Sequence, residues 1–275
     1  MEIVNYLPSA ISWSGGNSEF SGIITFRFEH ELNTMIYEYL LASMAKMWSL
    51  CQSQILTYTS IMINNSNLPK IIISYNRFLD PIFVFYCKHN PELKKSGWND
   101  WIPPSVEEIK ERVKNYREEW QKFGDKILKA VCDITGLSFQ RDAIDVFVVS
   151  GNPRPFSHPI IVKSMYSPFE FVDVIAHEII HQLFSQNFKK LHQDFFHEMF
   201  PKETNVVSNH VIVDAILKYI YLDVLNDEKR LIRNIENSKK HSTSDYSCTW
   251  EIVKKVGYKE LINQFKDKIK GLRSV

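Results

Sequence analysis

The sequence predicts an α+β fold, and three observations carry that expectation. Short runs rich in β-branched and aromatic residues, KIIISYN (70–76), IFVFYCK (82–88), AIDVFVVSG (143–151) and HPIIVKSM (158–165), read as strands. A long segment from Ser105 places apolar residues three or four apart, the period of an amphipathic helix. A second capped helix begins at Ser167, directly after the last strand.

Taken in order, the N-terminal third mixes both signals. SGIITFRF (21–28) alternates and is rich in β-formers, and the segment after it sets Leu32, Met35, Ile36, Leu40, Met44 and Met47 at helical spacing. A turn-like RFLDP separates the strands at 70–76 and 82–88. NPELKKSGWNDWIPP is polar and Pro-rich, and marks the candidate boundary between an N-terminal α+β region (1–100) and a second region (101–275). In the long helix, Val106, Ile109, Val113, Tyr116, Trp120, Phe123, Ile127, Val131 and Ile134 share the apolar stripe. Ser105 with Glu108 forms a capping box, and Gly136 is a C-terminal stop. Its charged face alternates in sign, as a solvated surface does. Strands 143–151 and 158–165, joined by NPRPFS, read as a β-hairpin, with His158 a turn or edge histidine. Ser167 as cap, Pro168 at the first helical position and Glu170 then define a helix start. With no Pro or Gly before Pro201, that helix runs to about Ser185. A further helix spans NHVIVDAILKYIYLDVL (209–225).

Composition narrows the function classes. In 275 residues, 44% hydrophobic and 24% charged content are globular values, and the chain is long enough for a substantial core. Only 9 glycines argue against Gly-rich phosphate-binding loops. A net charge of +1 points to neither nucleic acid nor an acidic membrane surface. The N-terminus lacks the basic and apolar regions of a signal peptide, and no apolar run is long enough to span a bilayer. Cys51, Cys87, Cys132 and Cys248 lie far apart with no CxxC pair, as thiols in a reducing cytosol do. The expectation is a cytoplasmic protein.

The chemistry concentrates at HEIIH, which is His177, Glu178 and His181. Residues four apart lie one above the other on a helix, so both imidazoles can converge on one ion, and imidazole suits Zn²⁺. Glu178 is turned by about 100° from His177, which sets its carboxylate beside the metal rather than on it. There it can act as general base towards a zinc-activated water. Val172, Ile175, Ala176, Ile179, Ile180 and Leu183 fill the other faces, and two partnerless histidines buried among them would be costly.

A catalytic zinc needs a third protein ligand. Phe184 and Asn187 stand where the metzincin pattern needs Gly and His, and no second ExxH exists for a di-iron site. No Gly-rich cysteine segment of the deformylase type surrounds Cys132 or Cys248. The candidate is His210, followed one turn later by Asp214. Its rivals are Glu203, Glu198, His192 and His197. Neither Glu198 nor Glu203 has an Asp four residues on, and Pro201 breaks a helix between them.

HEIIH, 28 intervening residues and then HxxxD resembles the gluzincin class of HExxH zinc metallopeptidases. His210 stands where that class has Glu, which implies a site of three histidines. The resemblance implies a zincin-like fold for 101–275, a small mixed sheet packed on helices, with the HEIIH helix and a second ligand-bearing helix. It implies one catalytic Zn²⁺, a peptide or protein substrate, and Asp214 as acceptor of a hydrogen bond from a ligand histidine, in the family the first of HExxH. A surface carboxylate is the plain alternative for Asp214. In zincins the strand before the HExxH helix often forms a sheet edge along which an extended peptide lies antiparallel, so HPIIVKSM is a candidate substrate edge, with an ordinary core strand as the open alternative. Tyr166, Tyr219, Tyr221 and His241 could supply an oxyanion donor, but each reads first as structural and none is assigned. Two other functions remain open: a zinc hydrolase acting on a non-peptide amide or ester, and a non-proteolytic binding or regulatory protein on the same fold. A purely structural site has no need of Glu178.

Overall fold

The computed structural model describes residues 68–187, 191, 194–239 and 244–272. The strand and helix expected within 21–50 lie outside these residues, as do Cys51, His192 and His241. The described residues form a mixed α+β structure in which four strands and nine α-helices are built around one core.

The sheet contains β1 (Lys70–Tyr75), β2 (Ala143–Val149), β3 (Phe156–Ser157) and β4 (Ile160–Lys163), in the spatial order β1-β2-β4-β3. β1 and β4 run parallel to β2, with Ile73 opposite Val146 and Val148 opposite Val162, while β3 runs antiparallel to β4. Alternation in β2 buries Ile144, Val146 and Val148, the pattern of a strand covered on one face. Residues 68–100 belong with the rest: β1 pairs with β2, and Ser66–Val275 forms one compact unit.

Two sequence expectations are corrected here. IFVFYCK is not a strand but part of helix α1 (Asp80–His89). Pro81 sits in its first turn, and the Asn76 side chain accepts hydrogen bonds from the Phe78 and Leu79 amides just before it. A short apolar run does not reveal its period, and here the start signals decide. Nor do 143–151 and 158–165 form a hairpin. The chain leaves β2, crosses to the sheet margin as β3, and returns as β4 in between. Gly151 permits this crossing, since a Cβ there would stand 2.5 Å from the Trp101 ring. HPIIVKSM is therefore an inner strand with Ile160, Ile161 and Val162 buried, and the margin is the two-residue β3.

After α1, a short helix α2 (Pro91–Lys95) is capped by Asn90. The long helix α3 (Val106–Thr135) has the Ser105–Glu108 capping box and ends at Gly136 with φ of 67°, the left-handed conformation that favours glycine. α3 packs on β1 and β2. Its Arg117 Nε donates to the Ile73 carbonyl at 2.8 Å, and its Tyr116 hydroxyl donates to the carbonyls of Ser164 and Tyr166. Tyr116 also stacks on Phe171, with ring centroids 4.0 Å apart. The turn leading into the HEIIH helix is thus held from α3. That helix, α4 (Pro168–Gln186), carries the Ser167–Glu170 capping box and Pro at its start.

The remaining helices are α5 (Phe195–Met199), α6 (Asn205–Tyr219), α7 (Glu228–Ser238), α8 (Asp245–Val256) and α9 (Tyr258–Leu272). α6 begins four residues before the expected 209, because Thr204 caps it by accepting from the Val207 amide. A π-helical turn, Ile220–Val224, continues it. α6 packs against α4, α8 and α9. No described helix is long and apolar enough to cross a membrane. Cys87, Cys132 and Cys248 are free thiols.

Candidate metal centre

Helix α4 sets His177 and His181 one turn apart, so both rings project from one face. Their Nε2 atoms stand 3.1 Å apart. His210, in the first half of α6, completes the group: its ring centroid lies 5.3 Å from that of His177 and 5.0 Å from that of His181. One donor atom from each ring lies within 4.8 Å of the other two. Among the described residues this is the one cluster of such side chains able to hold a metal ion.

Two of the three rings show how they can meet a cation. His210 Nδ1 meets the Val206 carbonyl at 2.6 Å. A carbonyl only accepts, so Nδ1 carries the proton and Nε2 keeps its lone pair. Burial, with His210 and His158 beside it, pushes His181 down to about 3. Its imidazole is therefore neutral at physiological pH, the form that coordinates metals.

Glu178 is only 5% exposed. Burial pushes its carboxyl up to about 7, against the lowering pull of a hydrogen bond from Ser157. In that bond Ser157 Oγ, on β3, donates to Glu178 Oε2 at 2.5 Å. Gln182, one turn further along α4, donates from Nε2 to the Ser157 carbonyl. Against His210, α8 lays Tyr246 edge-on, with ring centroids 5.0 Å apart. Burial pushes the Tyr246 phenol up. Arg154 draws it down, and the carboxyls of Glu178 and Asp214 push it up again, so the phenol lies in the field of the site.

Asp214 is buried one turn after His210, not on the surface, and accepts a hydrogen bond from Thr249 of α8. Of the rival ligands, His192 lies outside the described residues, and Glu198, Glu203 and His197 are not in the cluster. Glu198 pairs with Lys268 at 2.7 Å, and Glu203 lies 4.0 Å from the Cys248 thiol. His158 occupies the turn between β3 and β4. Of the suggested oxyanion donors, Tyr221 is fully buried and takes a hydrogen bond from Asn234, while Tyr166 is pushed up to about 12 by burial and then by Glu178 and Glu170.

Sequence reasoning missed Ser157, Gln182 and Tyr246. Gln182 had a readable signal, since it lies four residues after Glu178 on the same helix face. Ser157 and Tyr246 had none, because each reaches the site through packing between elements distant in sequence. No family model, no curated protein and no solved structure matches this chain.

Proposed function

We propose that the protein is a zinc-dependent peptidase on a zincin-like frame, with Glu178 as general base. One observation carries the reading: three imidazole donors lie within 4.8 Å of one another, and the helix that brings two of them also carries the buried Glu178 carboxyl. Three imidazole nitrogens suit Zn²⁺. Two ligand nitrogens on a tetrahedral zinc stand roughly 3.3 Å apart, close to the 3.1 Å between His177 and His181. A bound zinc supplies an acidified water and a polarised substrate carbonyl.

The chain's own residues supply the proton traffic and the positioning. Glu178 takes a proton from the attacking water and returns it to the leaving amine. The C–N bond breaks, one water is consumed, and an acid and an amine result. Tyr246, packed against His210, is the phenol we assign to the developing oxyanion. Asp214 ties α6 to α8 through Thr249, and so steadies His210 and Tyr246 together. An extended peptide adds to β3 at the sheet margin through backbone hydrogen bonds.

The test measures zinc content and cleavage of a mixed peptide library for the wild type, His210→Ala, Glu203→Ala and Glu178→Gln. The wild type and Glu203→Ala should hold one zinc, and both should cleave. His210→Ala should lose the metal, while Glu178→Gln should keep it and lose cleavage. Wild-type zinc affinity in His210→Ala sinks the ligand assignment. Equal cleavage by all four proteins sinks the enzyme.

A further inference from the structure

Helix α4 carries two pairs of residues at i and i+4, side by side. His177 and His181 face the metal cluster. Glu178 and Gln182, turned by about 100°, both reach a single residue, Ser157. Its hydroxyl donates to Glu178 Oε2 at 2.5 Å, and its carbonyl accepts from Gln182 Nε2. Glu178 and Gln182 are 5% and 3% exposed, so both bonds are made away from bulk water, where losing a partner is costly. β3 has only 2 residues, and among the described residues it pairs with β4 alone. So short a strand has little of its own to fix its register. Two side chains of α4 therefore hold it.

We infer that Ser157 is a positioning residue: with Gln182 it locks the margin strand to the base, so that a peptide laid along β3 meets the Glu178 carboxylate in fixed register. The inference rests on the peptidase reading. Ser157 engages Oε2, which leaves Oε1 as the oxygen that takes the proton from water. Ser157 acts through Glu178 rather than on the substrate. Gln182 acts one step further back, through the backbone of β3.

The test compares zinc-loaded, full-chain Ser157→Ala, Ser157→Thr and Gln182→Ala with the wild type. It also follows hydrogen exchange of residues 155–161 in the same proteins stripped of zinc. Ser157→Ala should keep its zinc and its KM, and lower kcat about tenfold, as expected for a lost bond to a charged group. Ser157→Thr, which keeps the hydroxyl, should restore kcat. Gln182→Ala should raise KM more than it lowers kcat, because it loosens the strand rather than the base. Both alanine variants should speed exchange of 155–161. Wild-type kcat and zinc content in Ser157→Ala overturns the inference. So does an equal loss in the Ala and Thr variants, which marks a packing defect. A zinc-loaded wild type that cleaves nothing overturns the peptidase reading and the catalytic half of the inference with it. Exchange then still decides the lock, which stands if both alanine variants speed it and falls if neither does.

Discussion

Helices α4 and α6 meet at the histidine cluster but reach it by different means. α4 is specified by its own sequence: a full capping box and Pro168 start it, buried apolar residues fill it, and two histidines one turn apart share a face. α6 starts on a single Thr204 cap, changes to a π-helical turn at Ile220, and brings one histidine. Its neighbours secure it. Thr249 of α8 bonds to Asp214, and Tyr246 of the same helix packs against His210. Spacing within one helix sets the first two donors, and packing between helices sets the third.

The largest expected effect separates the tasks of the two helices. Glu178→Gln, on α4, should lower kcat by on the order of 10²–10⁴-fold with zinc retained. His210→Ala, on α6, should instead lose the ion. Turnover and metal analysis on the same preparations read both, and the reverse pattern would assign the base and the ligand to the wrong helices.

Stability should also distinguish them. Ile179 of α4 is fully buried, and Ile179→Ala should cost about 2–5 kcal/mol in urea unfolding of the metal-free protein. A loss below about 1 kcal/mol would mean that α4 is not the anchored helix. On the α6 side, Thr249→Val leaves Asp214 without its donor, at a cost of about 1–3 kcal/mol. The same change should weaken zinc binding on the order of tenfold, as loss of supporting hydrogen bonds around a metal does. If zinc titration shows no change, α8 does not steady His210.

What could be read in the sequence follows the same division. The capping boxes at Ser105 and Ser167, the stop at Gly136 and the pairing of His177 with His181 are local, with their partners within a few residues. All of them could be read directly. His210 could be nominated by its spacing to Asp214, but only the packing of α6 on α4 brings it to the other rings. Asp214 was expected to serve a ligand histidine, and the bond seen for it is to Thr249, 35 residues away. Sequence does not separate an edge from a core strand at 158–165, because strand order depends on a crossing that no periodicity encodes. IFVFYCK failed for a plainer reason: seven apolar-rich residues fit a strand or a helix equally, and Pro81 was the clue.

The pH dependence of stability tests whether α6 is held by a neutral or a charged Asp214. Burial pushes that carboxyl from its ordinary 3.8 up to about 7, against the Thr249 hydrogen bond. Between those values the native state keeps a proton that the unfolded chain has released. The contribution of Asp214 to stability is therefore full below about pH 4 and is lost as pH rises through about 7. Asp173 on α4 is also pushed up to about 7 by burial, but there Arg230 lies 3.2 Å away and pulls it back. Asp214→Asn keeps an acceptor for Thr249 and removes the titration. Relative to the wild type, the metal-free variant should gain stability across that window, on the order of 1 kcal/mol per pH unit. Urea midpoints of both proteins at about pH 4 and about pH 7 measure it. Parallel pH slopes would mean that Asp214 is already ionised in the fold, and that α6 is held to α8 by a charged bond rather than a neutral one.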